Sequence, residues 1–395
     1  LAKLSTGRKW LLRIVMIGFS LFMALVVLEI SARVLHLGSG GFWEPNAQYG
    51  WQNIPGASGW ESCYGDCSVF VEINDQGLRD REIPYEKPQD TRRVIFLGDS
   101  MTAGMQVEQA DTFVKQLESG LQAADPNWET INAGVNAFGT DNELLFYQLE
   151  VHQYEADVVV LAMYLANDIY NNHRELEVRL SGTGHKPYFT LGGDGELVLH
   201  NFPVEKAETP ATRFVSFLNR NFQLPRFFAE LLNLRRDIPE ALRPLVELAA
   251  GQRAAAPTPD PEAPPGQRRV TICDAEYAPQ IQEAWDVTQA IILELEREVA
   301  ANGAELVVLI IPASPQLSPP EGERDWYCEQ PNLELGAFLQ AESIPFLDML
   351  YPFREHALAG GESLYFERDF HMNTAGHTLA GELLIDFFNT QFAGP

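Results

Sequence analysis

The chain has 395 residues, 46% of them hydrophobic, and a formal net charge of -27. That is enough apolar material for one large catalytic domain with a substantial insertion, or for two domains. The acidity argues against nucleic acid, whose phosphates are held by clustered Lys and Arg, and it disfavours anionic polymers as partners.

The first element is signalled by charge. Lys3, Arg8, Lys9 and Arg13 precede an apolar or neutral run from Ile14 to Leu28, which Glu29 closes. Extended by Trp10 to Leu12 and by Ile30, with Arg13 snorkelling, the run approaches the ~20 residues that a bilayer needs. A cleaved signal peptide would use Ile30-Ser31-Ala32, a poor small-residue site, and an ordinary buried helix would not need the basic flank. The expectation is therefore an uncleaved signal anchor. Residues 1–36 form a cytoplasmic stub and membrane span, and everything after about residue 35 is periplasmic or extracellular. Cys63, Cys67, Cys273 and Cys328 all fall in that exported part and allow three pairings. The Gly65-Asp66 turn makes a small Cys63–Cys67 loop feasible, leaving Cys273 with Cys328; four buried free thiols are the alternative.

Residues 37–90 read as an extended lead-in, with Val69 to Ile73 alternating like a strand. The domain that follows starts at 91. Arg93 to Gly98 is a continuous apolar run of the kind found in a buried parallel strand, and from Thr112 the residues Phe113, Leu117 and Leu121 recur at helical spacing. Glu129 to Ala133 and then a helix from about Asn142 repeat the theme, as do Ala156 to Met163 and a loop. Residues 175–275 interrupt it with a hairpin at 186–200, two apolar helical stretches and a Pro/Ala-rich flexible linker at 251–267; this insertion reads as a cap or lid, with a purely structural excursion as the alternative. The second half of the domain, 276–395, holds an amphipathic helix of about 278–301 and a fourth strand from Ala304 to Ile311. Alternating strands and helices imply a three-layer α/β/α sandwich on a mostly parallel sheet.

Ligands of such sheets bind at the carboxyl ends of the strands, so the chemistry is sought in the loops there. The first loop, Gly98-Asp99-Ser100, puts a hydroxyl after a buried strand and near a helix start, where backbone N–H groups can face an oxyanion. Alone the tripeptide is weak evidence, since Ser at a helix start is usually a cap. The second loop, from Asn132 to Thr140, offers a backbone N–H at Gly134 or Ala137. The third, Asn167-Asp168, offers a side-chain amide. Near the C-terminus, Asp369-Phe370-His371 supplies an orienting acid and a base able to take the Ser100 proton. A metal reading of Asp369, His371 and His377 lacks a further ligand, and no metal or cofactor is expected.

These four segments, in this order, resemble the blocks of the SGNH (GDSL-like) hydrolase family. The resemblance covers about residues 90–172 and 300–392. The lead-in from Asn74 to Asp80 and the anchor are similar to membrane-bound bacterial members. It implies Ser100 as nucleophile, His371 as base with Asp369, and an oxyanion hole from the Ser100 N–H, the second loop and Asn167, with Asp99 and Asp168 in support. Two departures stand out. Ala137 occupies the usual glycine position of the second block, flanked by Gly134 and Gly139. A single residue separates acid and base, a spacing similar to the polysaccharide O-acetyltransferase-like branch, which carries Trp where this chain has Met372.

The expected activity is hydrolysis of an acyl ester, acetyl first, on an acylated small molecule or an extracytoplasmic glycan. The same machinery would serve an O-acetyltransferase drawing on a membrane acyl-donor partner. A non-catalytic glycan-binding or assembly role is the third reading.

Overall fold

A stretch such as Val94-Ile95-Phe96-Leu97 has no polar face, so it must be covered on both sides. The computed structural model describes residues 6–35, 41–180, 185–205, 210–233, 272–274, 276–317 and 328–392, and the linker at 251–267 lies outside them. Two antiparallel pairs follow the N-terminal helix: β1 (Trp43–Asn46) with β2 (Gly50–Asn53), and β3 (Ser58–Glu61) with β4 (Val69–Glu72). Then come β5 (Arg92–Gly98), β6 (Trp128–Gly134), β7 (Val158–Tyr164), the hairpin β8 (Tyr188–Leu191) and β9 (Leu197–His200), β10 (Glu305–Ile311) and β11 (Phe346–Asp348). Five of these form one parallel sheet in the order β11-β10-β7-β5-β6.

Successive residues of each sheet strand enter opposite cores. Ile95, Leu97, Ile131, Val159, Leu161, Val308 and Ile310 pack with helices Thr140–Leu149, Pro279–Ala301 and Gln330–Ala341, around the fully buried Trp285. Val94, Phe96, Val160, Val307 and Leu309 pack with Phe113–Gln122, Leu350–Leu358 and Thr374–Gln391. This is the expected three-layer sandwich. The sheet has a fifth strand beyond the four read from sequence. β11 is only three residues long and follows Pro345, so it carries no alternation to read.

The lead-in is built into this core rather than laid over it. Phe42, Ile54, Ala57, Val69, Val71 and Ile73 share a cluster with Ala103 and Met105 of the catalytic half. The Asn74 Oδ1 accepts the N–H groups of Gln76 and Leu78, and Gly77 takes φ +83°, closing a turn that aims Arg79 and Asp80 inward. The buried Arg79 guanidinium donates to the carbonyls of Ala103 (2.9 Å), Gly104 and Val107 (2.5 Å). Asp80 Oδ2 accepts the Asn132 N–H at 2.8 Å and pairs with Lys115 at 2.7 Å.

The insertion is pinned at both ends. Just before β8, Lys186 is buried, 2.6 Å from Asp141 Oδ1 and 2.9 Å from Asn142 Oδ1 on helix Thr140–Leu149. At the return, the Ile272 N–H donates to the Tyr170 hydroxyl at 3.0 Å and Cys273 is bonded to Cys328. The other disulfide is Cys63–Cys67, so both expected pairings are present, with Cα separations of 5.1 and 5.7 Å. The N-terminal helix Thr6–Val34 contains an apolar stretch, Trp10–Val34, long enough to cross a membrane, with mean hydropathy 2.6 in its most apolar 18-residue window, which is unburied, while Ala32 near its end is covered. An apolar helix able to anchor the chain and two disulfides together favour an oxidising, extracytoplasmic domain.

The two disulfides close loops of very different length, with sequence separations of 4 and 55. Chain entropy then assigns about 2 kcal/mol to the short loop and about 4 kcal/mol to the long one. Denaturant titration of Cys63→Ser/Cys67→Ser and Cys273→Ser/Cys328→Ser double variants should show the larger loss in the second; equal losses would refute the entropic assignment.

Candidate active site

The first loop is built by close packing. A Cβ on Gly98 would lie 2.2 Å from Thr102 Oγ1, so only glycine lets β5 end tight against the turn that follows. Asp99 then caps the short helix Ser100–Ala103, its Oδ1 accepting the Met101 N–H at 2.8 Å, and Gly104 ends that helix at φ +58°. Arg79 holds the carbonyls at this far end. Ser100, the first residue of the helix, is left partly exposed at the carboxyl end of the sheet.

His371 arrives from the other end of the chain. Residues 371–373 run antiparallel to 364–366, with Phe366 N–H on the His371 carbonyl (2.9 Å) and Asn373 N–H on that of Leu364 (3.1 Å). Asn373 caps helix Thr374–Gln391, whose packing on Phe113–Gln122 fixes the segment against the first βα unit. His371 Nε2 lies 2.7 Å from Ser100 Oγ, and Nδ1 lies 2.9 Å from Asp369 Oδ2. With Asp369 accepting the Nδ1 proton, Nε2 is the acceptor and the Ser100 hydroxyl donates to it. The single intervening residue, Phe370, sits at φ +62°, left-handed backbone that is unusual for an aromatic side chain and curls the chain between acid and base.

Burial works against a charged His371, but the hydrogen bond and charge of Asp369, together with the charge of Asp99, outweigh it and hold the imidazole above its ordinary pKa. Asp99 is itself sealed from water, and burial raises its pKa despite the N–H groups it accepts. Asn167 Nδ2 donates to Asp99 Oδ2 at 2.9 Å, so one carboxylate braces both the Ser100 helix and the third loop. Asp168 points the other way, its Oδ2 accepting the Tyr164 N–H at 2.7 Å.

In the second loop the two candidate amides part company. The Gly134 N–H donates to Asn132 Oδ1 at 3.0 Å, and a Cβ there would lie 2.4 Å from the Ala103 nitrogen, so this glycine serves close packing beside the nucleophile helix. Ala137 is exposed at φ +62°, and its N–H has no partner among the described residues. His377 is not brought to the Asp369–His371 pair as a ligand. It is buried, accepts the Phe113 N–H on Nδ1 at 3.2 Å and stacks on that ring, and burial followed by the charges of Arg79 and His371 pushes its pKa down to about 3. Among the described residues no group of three His, Cys, Asp or Glu side chains could hold a metal ion.

One feature of the site went unread in the sequence. Asp141, Glu143 and Asp168 are all buried near Asp99, with Lys186 as the cation paired to Asp141. Burial, then the charges of Asp99 and Asp141, raises Glu143 well above the usual carboxylate range, and neither of its oxygens has a hydrogen-bond partner among the described residues. Burial, with Glu143 and Asp99, does the same to Asp168. In sequence Asp141 and Glu143 look like ordinary acids in the first turn of a helix.

Residues 96–379 match the family model of the GDSL-like lipase/acylhydrolase family, and the chain belongs to that family. No curated protein matches the sequence. Solved structures similar to it include TesA, at 12% identity over 76% of this chain and 99% of that one, with a TM-score of 0.38. Another is a catalytic mutant of Axe2, an acetylxylan esterase from Geobacillus stearothermophilus, at 11% identity over 78% and 98%, with a TM-score of 0.41. A third is a GDSL-like lipase from Bacteroides thetaiotaomicron, at 12% identity over 77% and 92%, with a TM-score of 0.37.

Ester cleavage that needs neutral His371 should rise with pH through a midpoint above 6.5, the ordinary histidine value. Asp369→Asn removes the charge that favours the imidazolium, so the midpoint of the kcat/KM profile should move to lower pH while the plateau falls. An unmoved midpoint would show that Asp369 does not set the base.

Proposed function

We propose that the protein is a serine esterase that cleaves short acyl esters, acetyl first, on an extracytoplasmic glycan through an acyl-serine intermediate. The observation that carries this reading is the continuous relay from Ser100 Oγ through His371 to Asp369, with contacts of 2.7 and 2.9 Å. Ser100 Oγ attacks the carbonyl carbon as its proton passes to His371 Nε2; the alcohol departs with that proton, and water repeats the sequence to free the acid. The Ser100 and Ala137 N–H groups and the Asn167 amide are the donors we assign to the oxyanion, each worth several kcal/mol in a dry site. The disulfides and the N-terminal helix support an address outside the cytoplasm, and the net charge of -27 supports a neutral glycan over an anionic one.

Transfer of the acyl group to a sugar hydroxyl is the second reading, favoured by the single residue between Asp369 and His371. Acetate release without acetylation of an added oligosaccharide selects the esterase; acetylated oligosaccharide selects the transferase.

The full chain should release p-nitrophenol from p-nitrophenyl acetate and form a fluorophosphonate adduct on the peptide containing Ser100. Ser100→Ala should abolish the adduct and lower turnover by roughly a thousandfold or more. Parent-rate turnover by that variant would remove Ser100 as the nucleophile.

A further inference from the structure

The part of the insertion that follows the hairpin packs on the N-terminal helix and on the lead-in. Helices Pro210–Asn221 and Gln223–Asn233 meet the end of the N-terminal apolar helix through specific polar contacts. Glu29 accepts the N–H groups of Gln223 and Leu224 on its two carboxylate oxygens, each at 2.8 Å, and so caps the start of the second helix. Arg33 pairs with Glu29 at 2.7 Å and donates to the Asn221 carbonyl, also at 2.7 Å, closing the first. On the opposite side the buried Arg226 guanidinium lies over the Phe42 ring, 5.4 Å from its centre, tying the second helix to the lead-in.

What these contacts leave uncovered is apolar. Phe214, Val215, Phe217, Phe222 and Phe228 are between 41% and 61% exposed, and the Phe217 and Phe222 rings meet edge to face at 6.4 Å across the junction of the two helices. Exposed aromatic side chains gathered on two packed helices of a water-facing domain mark an interaction surface. Its position says with what. From Trp10 to Leu28 a helix rises about 27 Å, close to the roughly 30 Å of a hydrocarbon core. Glu29 and Arg33 then fall at the outer boundary, and the two helices they hold fall there with them.

We infer that helices Pro210–Asn221 and Gln223–Asn233 lie on the outer surface of the bilayer that holds the N-terminal helix, with Phe214, Phe217, Phe222 and Phe228 entering its headgroup–acyl boundary. This rests on reading Trp10–Val34 as a membrane span. The contact rests on burying the phenylalanine side chains and so does not need an anionic surface. It fixes the catalytic domain against the membrane at a second point besides the span.

The test uses the full chain in phosphatidylcholine vesicles, with Phe217→Cys labelled by a polarity-sensitive fluorophore; the four native cysteines are in disulfides. Retention of the protein after an alkaline carbonate wash reports the span. Quenching of the fluorophore by lipids carrying a nitroxide near the headgroup reports the docking. The inference expects retention, at least twofold stronger quenching by the shallow nitroxide than by one at the chain terminus, and loss of half or more of that quenching in Phe214→Asp/Phe222→Asp. A second label at Phe228→Cys should behave in the same way, which guards against one poorly folded variant. Retention with a fluorophore open to aqueous iodide would overturn the docking and leave the span standing. Protection from both quenchers would mean a second copy covers the face, which also overturns it. Loss of the protein in the wash would remove the span and the docking together.

Discussion

A carboxylate cut off from water persists only where protein donors replace its hydration, and Asp99 is placed under that constraint. Its two oxygens take the Met101 N–H on one side and the Asn167 amide on the other. The first and third loops leave β5 and β7, neighbouring strands of the sheet, so this one side chain sets the distance between the residue offering a hydroxyl and the residue offering an amide. The charge of Asp99 also reaches His371, where it adds to that of Asp369 in favouring the imidazolium. Ser100, Asn167 and His371 are thus electrostatically joined through a group that touches no solvent.

The rest of the molecule holds that arrangement in place. Arg79 and Asp80 reach in from the lead-in, one gripping the carbonyls after the Ser100 helix and the other the backbone of Asn132 on β6. The segment before residue 91, which composition alone separates from the catalytic domain, is a buttress of it. His371 comes from 271 residues away, and only the burial of the C-terminal helix against Phe113–Gln122 brings it within reach of Ser100. The short-range geometry of the site is therefore bought with long-range packing.

Much of this was legible because the sheet strands are covered on both faces and so appear as unbroken apolar runs, whose ends point to the loops. Ser100, Asn167, Asp369 and His371 stood out by order and context, and the fold brings Ser100, His371 and Asp369 into one hydrogen-bonded line. Other features had no local signature. β11 is too short to alternate. Lys186 precedes a hairpin and reads as a surface lysine until the fold buries it beside Asp141. Phe370 gives no sign of its left-handed backbone, because residue type does not demand it there. That the Gly134 N–H is taken up by Asn132 while the Ala137 N–H has no partner among the described residues is a difference that no spacing rule contains.

The pins at the two ends of the insertion carry a consequence for how this chain can be altered. Lys186 on Asp141 and Cys273 on Cys328 fix where the insertion leaves and re-enters the core, independently of the number of residues between. Closing a loop between fixed ends becomes costlier only with the logarithm of its length, by about 0.6 kcal/mol for each doubling. Changing the number of residues between the two pins, as in splicing in a reporter or affinity module, should therefore cost the sheet little so long as both pins are kept.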